Sequence, residues 1–139
     1  MMTVLKIPEN VFKNQPSKED LTSKRILIIE DEMMMSFMLD DMVTALGYEV
    51  AGIAPHVEEA SEQIEHQSFD AAILDVNLGG KDTFGLADQL QEKNLPFLFS
   101  TGYDPESLPD RYRNCPTLQK PYSMTQLGSR LKTLLSKAS

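Results

Sequence analysis

The stretch Ala71-Ala72-Ile73-Leu74-Asp75-Val76-Asn77 constrains the fold more than any other. An unbroken apolar run of this length, closed by a carboxylate, reads as a short strand covered on both faces. Such a strand needs a layer above and a layer below, which a parallel sheet between helices provides. Three other stretches share the design. Arg25-Ile26-Leu27-Ile28-Ile29 runs into Glu30-Asp31-Glu32, Pro96-Phe97-Leu98-Phe99 into Ser100-Thr101-Gly102, and Thr117-Leu118-Gln119 into Lys120-Pro121. Residues that leave the carboxyl ends of parallel strands share one edge of the sheet, where ligands collect. Acids, a hydroxyl and an amine are therefore expected to meet at that edge.

The intervening segments read as helices. After the first strand, Met35, Met38, Leu39, Met42 and Leu46 lie along one face, with Gly47 placed as the residue that ends the helix. The cluster Met33-Met34-Met35 is expected to be the buried start of this helix. Glu49 to Ala54 is the second strand. Pro55 or His56 then opens a helix carrying Val57, Ala60 and Ile64. A third helix, from about Thr83, carries Leu86, Ala87 and Leu90 and ends near Lys93-Asn94. The last begins at Ser123, with Gln126 completing a capping box and Met124, Leu127, Leu131, Leu134 and Leu135 as its buried stripe. Asp104 to Cys115 is the least regular part, and Pro109 limits it to a short or distorted helix. The loop Leu78-Gly79-Gly80-Lys81-Asp82 suits a tight backbone path close to a ligand. No hairpin is expected. Strands alternate with helices five times, which argues for an α/β fold: a five-stranded parallel sheet with helices on both faces.

Residues 24–139 are expected to form that domain. Residues 1–23 do not fit the pattern and read as an arm or linker. Val4, Leu5, Ile7, Val11 and Phe12 could form a short docking segment, and Asn14 to Asp20 a linker. The initiating methionine and the polar end after Lys137 read as a whole chain.

Composition excludes several classes. A net charge of −8 on 139 residues argues against direct binding to nucleic acid, which needs a basic face. The single Cys115 leaves no partner for an intramolecular disulfide. No apolar run approaches the roughly 20 residues that cross a bilayer. A signal-peptide pattern is missing, so a cytoplasmic location is expected. His56 and His66 stand alone, without a second ligand type at metal spacing, and read as solvated helix residues. The three-glycine dinucleotide fingerprint is also missing.

Glu30, Asp31 and Asp75 at one edge cannot all stay ionised without a counter-charge. Mg²⁺ is the expected solution, because it takes oxygen ligands and needs only one or two carboxylates plus a carbonyl. Lys120 adds a point charge for a carboxylate or a phosphoryl oxygen, and Thr101 adds a hydroxyl donor. A nucleophilic carboxylate, a metal and fixed donors are the parts that phosphoryl transfer to a carboxylate requires. Each position alone has an ordinary explanation: Asp31 or Glu32 could cap the next helix, and Thr101 could close a turn. Four successive strands ending this way make coincidence a poor account.

This set resembles the receiver domain of bacterial two-component response regulators. The resemblance covers roughly Lys24 to Lys137 and rests on Glu30-Asp31, Asp75, Thr101 and Lys120-Pro121 in that order and spacing. It implies a flavodoxin-like sheet of strand order 2-1-3-4-5. It implies that Asp75 is the phosphoacceptor, that Glu30, Asp31 and Asp75 hold Mg²⁺ with the Asn77 main-chain carbonyl, and that Thr101 and Lys120 bind the phosphoryl group. Two positions depart from the family pattern. Gly79 stands where the family usually has proline, and Thr117 where it usually has the aromatic switch residue. The stretch Phe97-Leu98-Phe99-Ser100-Thr101-Gly102-Tyr103 is similar to a subgroup of often stand-alone receivers. Tyr103 is then the expected switch aromatic, with Tyr122 as the second candidate.

The resulting expectation is a single-domain response regulator that takes a phosphoryl group from a sensor histidine kinase or phosphotransfer protein. It would act on a downstream protein partner, with no nucleic acid, no membrane and no separate substrate turned over. A pseudo-receiver that only binds a partner is the first alternative, and the intact acids, threonine and lysine count against it. A small phosphohydrolase with an aspartyl nucleophile is the second. Such enzymes typically carry a second aspartate two residues after the first, where this chain has Asn77, and they have a cap domain that this chain lacks.

Overall fold

A computed structural model describes residues 23–102 and 108–137. The elements in chain order are β1 (Arg25–Ile29), α1 (Met33–Ala45), β2 (Glu49–Ala54), α2 (Val57–His66), β3 (Ala71–Asp75), β4 (Asn77–Leu78), β5 (Lys81–Asp82), α3 (Phe84–Glu92), β6 (Phe97–Thr101), a 3-10 turn at Asp110–Tyr112, β7 (Thr117–Gln119) and α4 (Met124–Lys137). The expected arm lies outside the described residues except for Ser23.

Five strands form one parallel sheet in the order β2-β1-β3-β6-β7. Numbering only these five gives the expected order 2-1-3-4-5. All five residues of β3 and of β6 are buried, as unbroken apolar runs require. Successive side chains of a strand point to opposite faces. Leu27, Ile29, Ala72, Leu74 and Phe99 accordingly join one core with Ala60, Ile64, Leu86 and Leu90 of α2 and α3. Ile26, Ile28, Ala71, Ile73 and Leu98 join the other with Leu39, Val43, Leu127 and Leu131 of α1 and α4. The register pairs Ile29 with Leu74, Asp75 with Ser100 and Thr101 with Gln119. The carboxyl ends of β1, β3, β6 and β7 are thereby level, and the residues that follow them emerge side by side.

Local signals explain the helix boundaries. Gly47 follows α1 with φ 94°, the left-handed geometry that glycine adopts without strain. At the start of α4, Ser123 N–H donates to Gln126 Oε1 at 2.8 Å and Gln126 N–H donates to Ser123 Oγ at 3.1 Å, which is the expected capping box. His56 and His66 are exposed, as expected. Among the described residues no helix is long and apolar enough to cross a membrane.

Three expectations need correction. A hairpin does form: β4 and β5 pair antiparallel around Gly79 and Gly80. Both glycines have positive φ, 57° and 87°, as a tight two-residue hairpin turn demands. The methionine-rich start of α1 is not buried either. Met33, Met34 and Met38 are exposed, together with Phe37. The buried line of α1 is instead Ser36, Leu39 and Val43. Ser36 takes the core-facing position because its hydroxyl donates to the carbonyls of Glu30 and Glu32. Met124, at the first position of α4, is also exposed, while Leu127, Leu131 and Leu134 carry the stripe.

Candidate functional site

Glu30 leaves β1 fully buried, pinned by backbone and side chain alike. Its amide donates to the Ala54 carbonyl at 3.1 Å, and its Oε2 accepts the Glu32 amide at 3.1 Å. Asp75 ends β3 and is 8% exposed. Its Oδ1 accepts the Asn77 amide at 3.2 Å, and its carbonyl accepts the Thr83 hydroxyl from the start of α3. Asp31 is exposed, and its Oδ2 accepts the Gly79 amide at 3.0 Å. Carboxylate oxygens of Glu30, Asp31 and Asp75 lie within 4.8 Å of one another.

Lys120 joins two of these acids from the far end of β7. Its Nζ is 2.9 Å from Glu30 Oε1 and 3.1 Å from Asp75 Oδ2. The backbone sets it there: Lys120 N–H donates to the Thr101 carbonyl at 2.8 Å, directly after the Thr101–Gln119 pair. The peptide bond from Lys120 to Pro121 is cis. Thr101 is buried at the end of β6. Asp31, Glu32, Asp75, Asn77, Gly102 and Lys120 line an open cleft of about 470 Å³. Glu30, Asp31, Asp75 and Lys120 thus meet at one edge of the sheet, and Thr101 ends the neighbouring strand.

The electrostatics follow from burial. Desolvation pushes the Glu30 carboxyl up to about 7, against the hydrogen bond from Lys120, and the charge of Asp75 adds to the rise. Burial alone would lower the Lys120 ammonium, but the Glu30 hydrogen bond and the Asp75 charge outweigh it and hold it above its ordinary value. Three carboxyls facing one ammonium leave an excess of negative charge. The donor set, all oxygen and partly open to solvent, fits a hard divalent cation such as Mg²⁺.

Of the two switch candidates, Tyr103 lies outside the described residues. Tyr122 is half-buried on the α1 and α4 side, with its hydroxyl 3.4 Å from Ser100 Oγ. Tyr112 is the aromatic that sequence reasoning missed. It is fully buried, with its ring stacked on Phe84 at 6.1 Å and edge-on to Phe97 and Phe99. Its hydroxyl donates to Asp88 of α3. Arg111 reaches the same carboxylate at 3.2 Å, and its guanidinium lies 4.9 Å above the Tyr112 ring. An aromatic in a segment broken by Pro109 carries no periodic signal, so only the three-dimensional packing reveals this latch.

A doubly wound parallel sheet of this order, with acids after its first and third strands and a lysine after its last, defines a receiver-type domain. Comparison with known proteins agrees. The family model of the response regulator receiver domain matches residues 26–132. The chain is 30% identical to the transcriptional regulatory protein PdtaR of Mycobacterium tuberculosis over 118 residues, covering 82% of this chain and 58% of that protein. The chain therefore spans little more than half the length of this relative. Among solved structures, SdrG of Sphingomonas melonis Fr1 is 38% identical with a TM-score of 0.73, covering 81% of this chain and 97% of that one. The PhyR receiver domain of Erythrobacter litoralis is 29% identical with a TM-score of 0.74, covering 84% and 92%. The chain belongs to the response regulator receiver domain family of two-component systems.

Proposed function

We propose that the chain is a phosphorylation-controlled switch whose phosphoacceptor is Asp75, acting as a stand-alone receiver. The observation that carries this reading is the position of Lys120 Nζ, within hydrogen-bond reach of both Asp75 and Glu30, while Asp31 faces the same cleft. A carboxylate held beside a fixed ammonium can accept a phosphoryl group whose new charge that ammonium already faces. A sensor histidine kinase or phosphotransfer protein supplies the group as a phosphohistidine. An Asp75 oxygen bonds to phosphorus, the phosphorus–nitrogen bond breaks, and the imidazole nitrogen keeps the electron pair and takes a proton from water. Glu30, Asp31 and Asp75, with the Asn77 carbonyl, would hold Mg²⁺, which supplies positive charge for the phosphoryl oxygens when bound. Lys120 and the Thr101 hydroxyl orient and neutralise those oxygens.

The added charge is about −1.5 to −2. Tyr103 and Tyr122, two residues after Thr101 and Lys120 respectively, are the residues that would move in response and alter the surface a downstream protein reads. Separate substrate turnover is not part of the reading. Asn77 stands where an aspartyl phosphohydrolase needs a proton donor, and its side-chain oxygen accepts the Gly80 amide at 3.0 Å. Intact mass after incubation with acetyl phosphate and Mg²⁺ tests the proposal. One added phosphoryl group is expected, and its persistence in Asp75→Asn would sink the assignment.

A further inference from the structure

The outer face of α1 is apolar where a solvated helix should be polar. Met33, Met34, Phe37 and Met38 are 69%, 82%, 57% and 52% exposed. They occupy two successive turns at three- and four-residue spacing, opposite the buried Ser36, Leu39 and Val43. Their rim is acidic: Asp31, Glu32 and Asp41 are exposed around them, and no basic residue lies between Asp31 and Ala45. Four large apolar side chains on one exposed helix face form a patch that calls for an occupant.

We infer that this face of α1 is the docking site for the chain's own N-terminal segment, residues 4–12. Two observations favour that occupant. The segment is apolar where the face is apolar, with Val4, Leu5, Ile7, Val11 and Phe12. It can also reach. Residues 13–24 span up to about 40 Å when extended, whereas the five residues of β1 that separate the chain's entry from the start of α1 cover only about 17 Å. A second copy of the domain would bring the same acidic rim against itself, which like-charge repulsion opposes. The docked segment would border the carboxylate cleft, because Glu32 both precedes the first turn of α1 and lines that cleft. A protein phosphodonor would then have to displace it. That consequence rests on the proposed function, whereas docking itself does not.

Methionine oxidation footprinting tests docking without any phosphorylation. The full chain is exposed to dilute hydrogen peroxide, and sulfoxide is quantified peptide by peptide for Met33, Met34 and Met38. Met124 on α4 serves as the exposed reference. In Val11→Asp/Phe12→Asp, the α1 methionines should oxidise at least five-fold faster than in the unaltered chain, with Met124 unchanged. Phe12→Leu should keep the protection. Equal rates in the unaltered chain and the double variant would overturn the proposal. So would protection that survives the double substitution and grows with protein concentration, which would assign the face to a second copy.

Discussion

Gly79 donates its amide hydrogen to Asp31 Oδ2 across 3.0 Å, tying the β4–β5 turn to the end of β1. Proline at this position could not make that bond, since it has no amide hydrogen. The turn depends on two positive-φ residues, and a Cβ at either glycine would meet nothing within 4 Å. Gly79→Ala should therefore cost only backbone strain, about 1 kcal/mol by urea unfolding. Gly79→Pro, which also lacks the amide hydrogen, should in addition weaken Mg²⁺ binding by calorimetry, because Asp31 loses its anchor. Normal Mg²⁺ affinity in Gly79→Pro would mean that the Gly79 amide does not position Asp31.

Mg²⁺ should raise the melting temperature, since the three carboxyls carry like-charge repulsion that the ion relieves. A ligand that binds only the folded state adds about 2.7 kcal/mol at 100 times its Kd. Asp31→Asn should blunt the rise. A melting curve that stays put from zero to tens of millimolar Mg²⁺ counts against the cation site.

Lys120→Met removes the cation from between Glu30 and Asp75 while keeping the aliphatic stem. Losing hydrogen bonds to two charged groups should cost about 1–3 kcal/mol in the absence of Mg²⁺. The variant should recover more stability from Mg²⁺ than the unaltered chain does, because the metal then meets uncompensated carboxylates. Equal Mg²⁺ gains in the two proteins would show that Lys120 does not neutralise this pair.

Tyr112 separates packing from hydrogen bonding. Tyr112→Phe keeps the ring among Phe84, Phe97 and Phe99 and loses only the bond to Asp88, so a loss of about 0.5–1.5 kcal/mol is expected. Tyr112→Ala empties a fully buried site and should cost about 3–5 kcal/mol. Chemical denaturation of both variants checks the ordering. Similar losses would mean that the latch, and not the aromatic cluster, secures this segment.

The strand-end site was legible in the sequence because a strand covered on both faces leaves no ambiguity of direction. Ile26–Ile29, Ala71–Leu74 and Phe97–Phe99 can only be buried, so Glu30, Asp75 and Thr101 had to emerge together. The outer face of α1 was not legible. Met33, Met34 and Met38 carry no direction of their own, and a polar residue, Ser36, takes the inward position by bonding to Glu30 and Glu32 carbonyls. The β4–β5 hairpin leaves no sequence signal because two-residue strands show no alternation. Tyr112 leaves none because its partner Asp88 lies 24 residues away on another element.

Reduction of the acyl phosphate with borohydride reads phosphorylation of Asp75 most directly. Hydride converts a phosphorylated aspartate to homoserine and leaves a free carboxylate untouched. After treatment with acetyl phosphate and Mg²⁺, peptide mapping should place homoserine at position 75 alone. Homoserine at Asp31 or elsewhere, or none at 75 while the intact protein carries a phosphoryl group, would contradict the account.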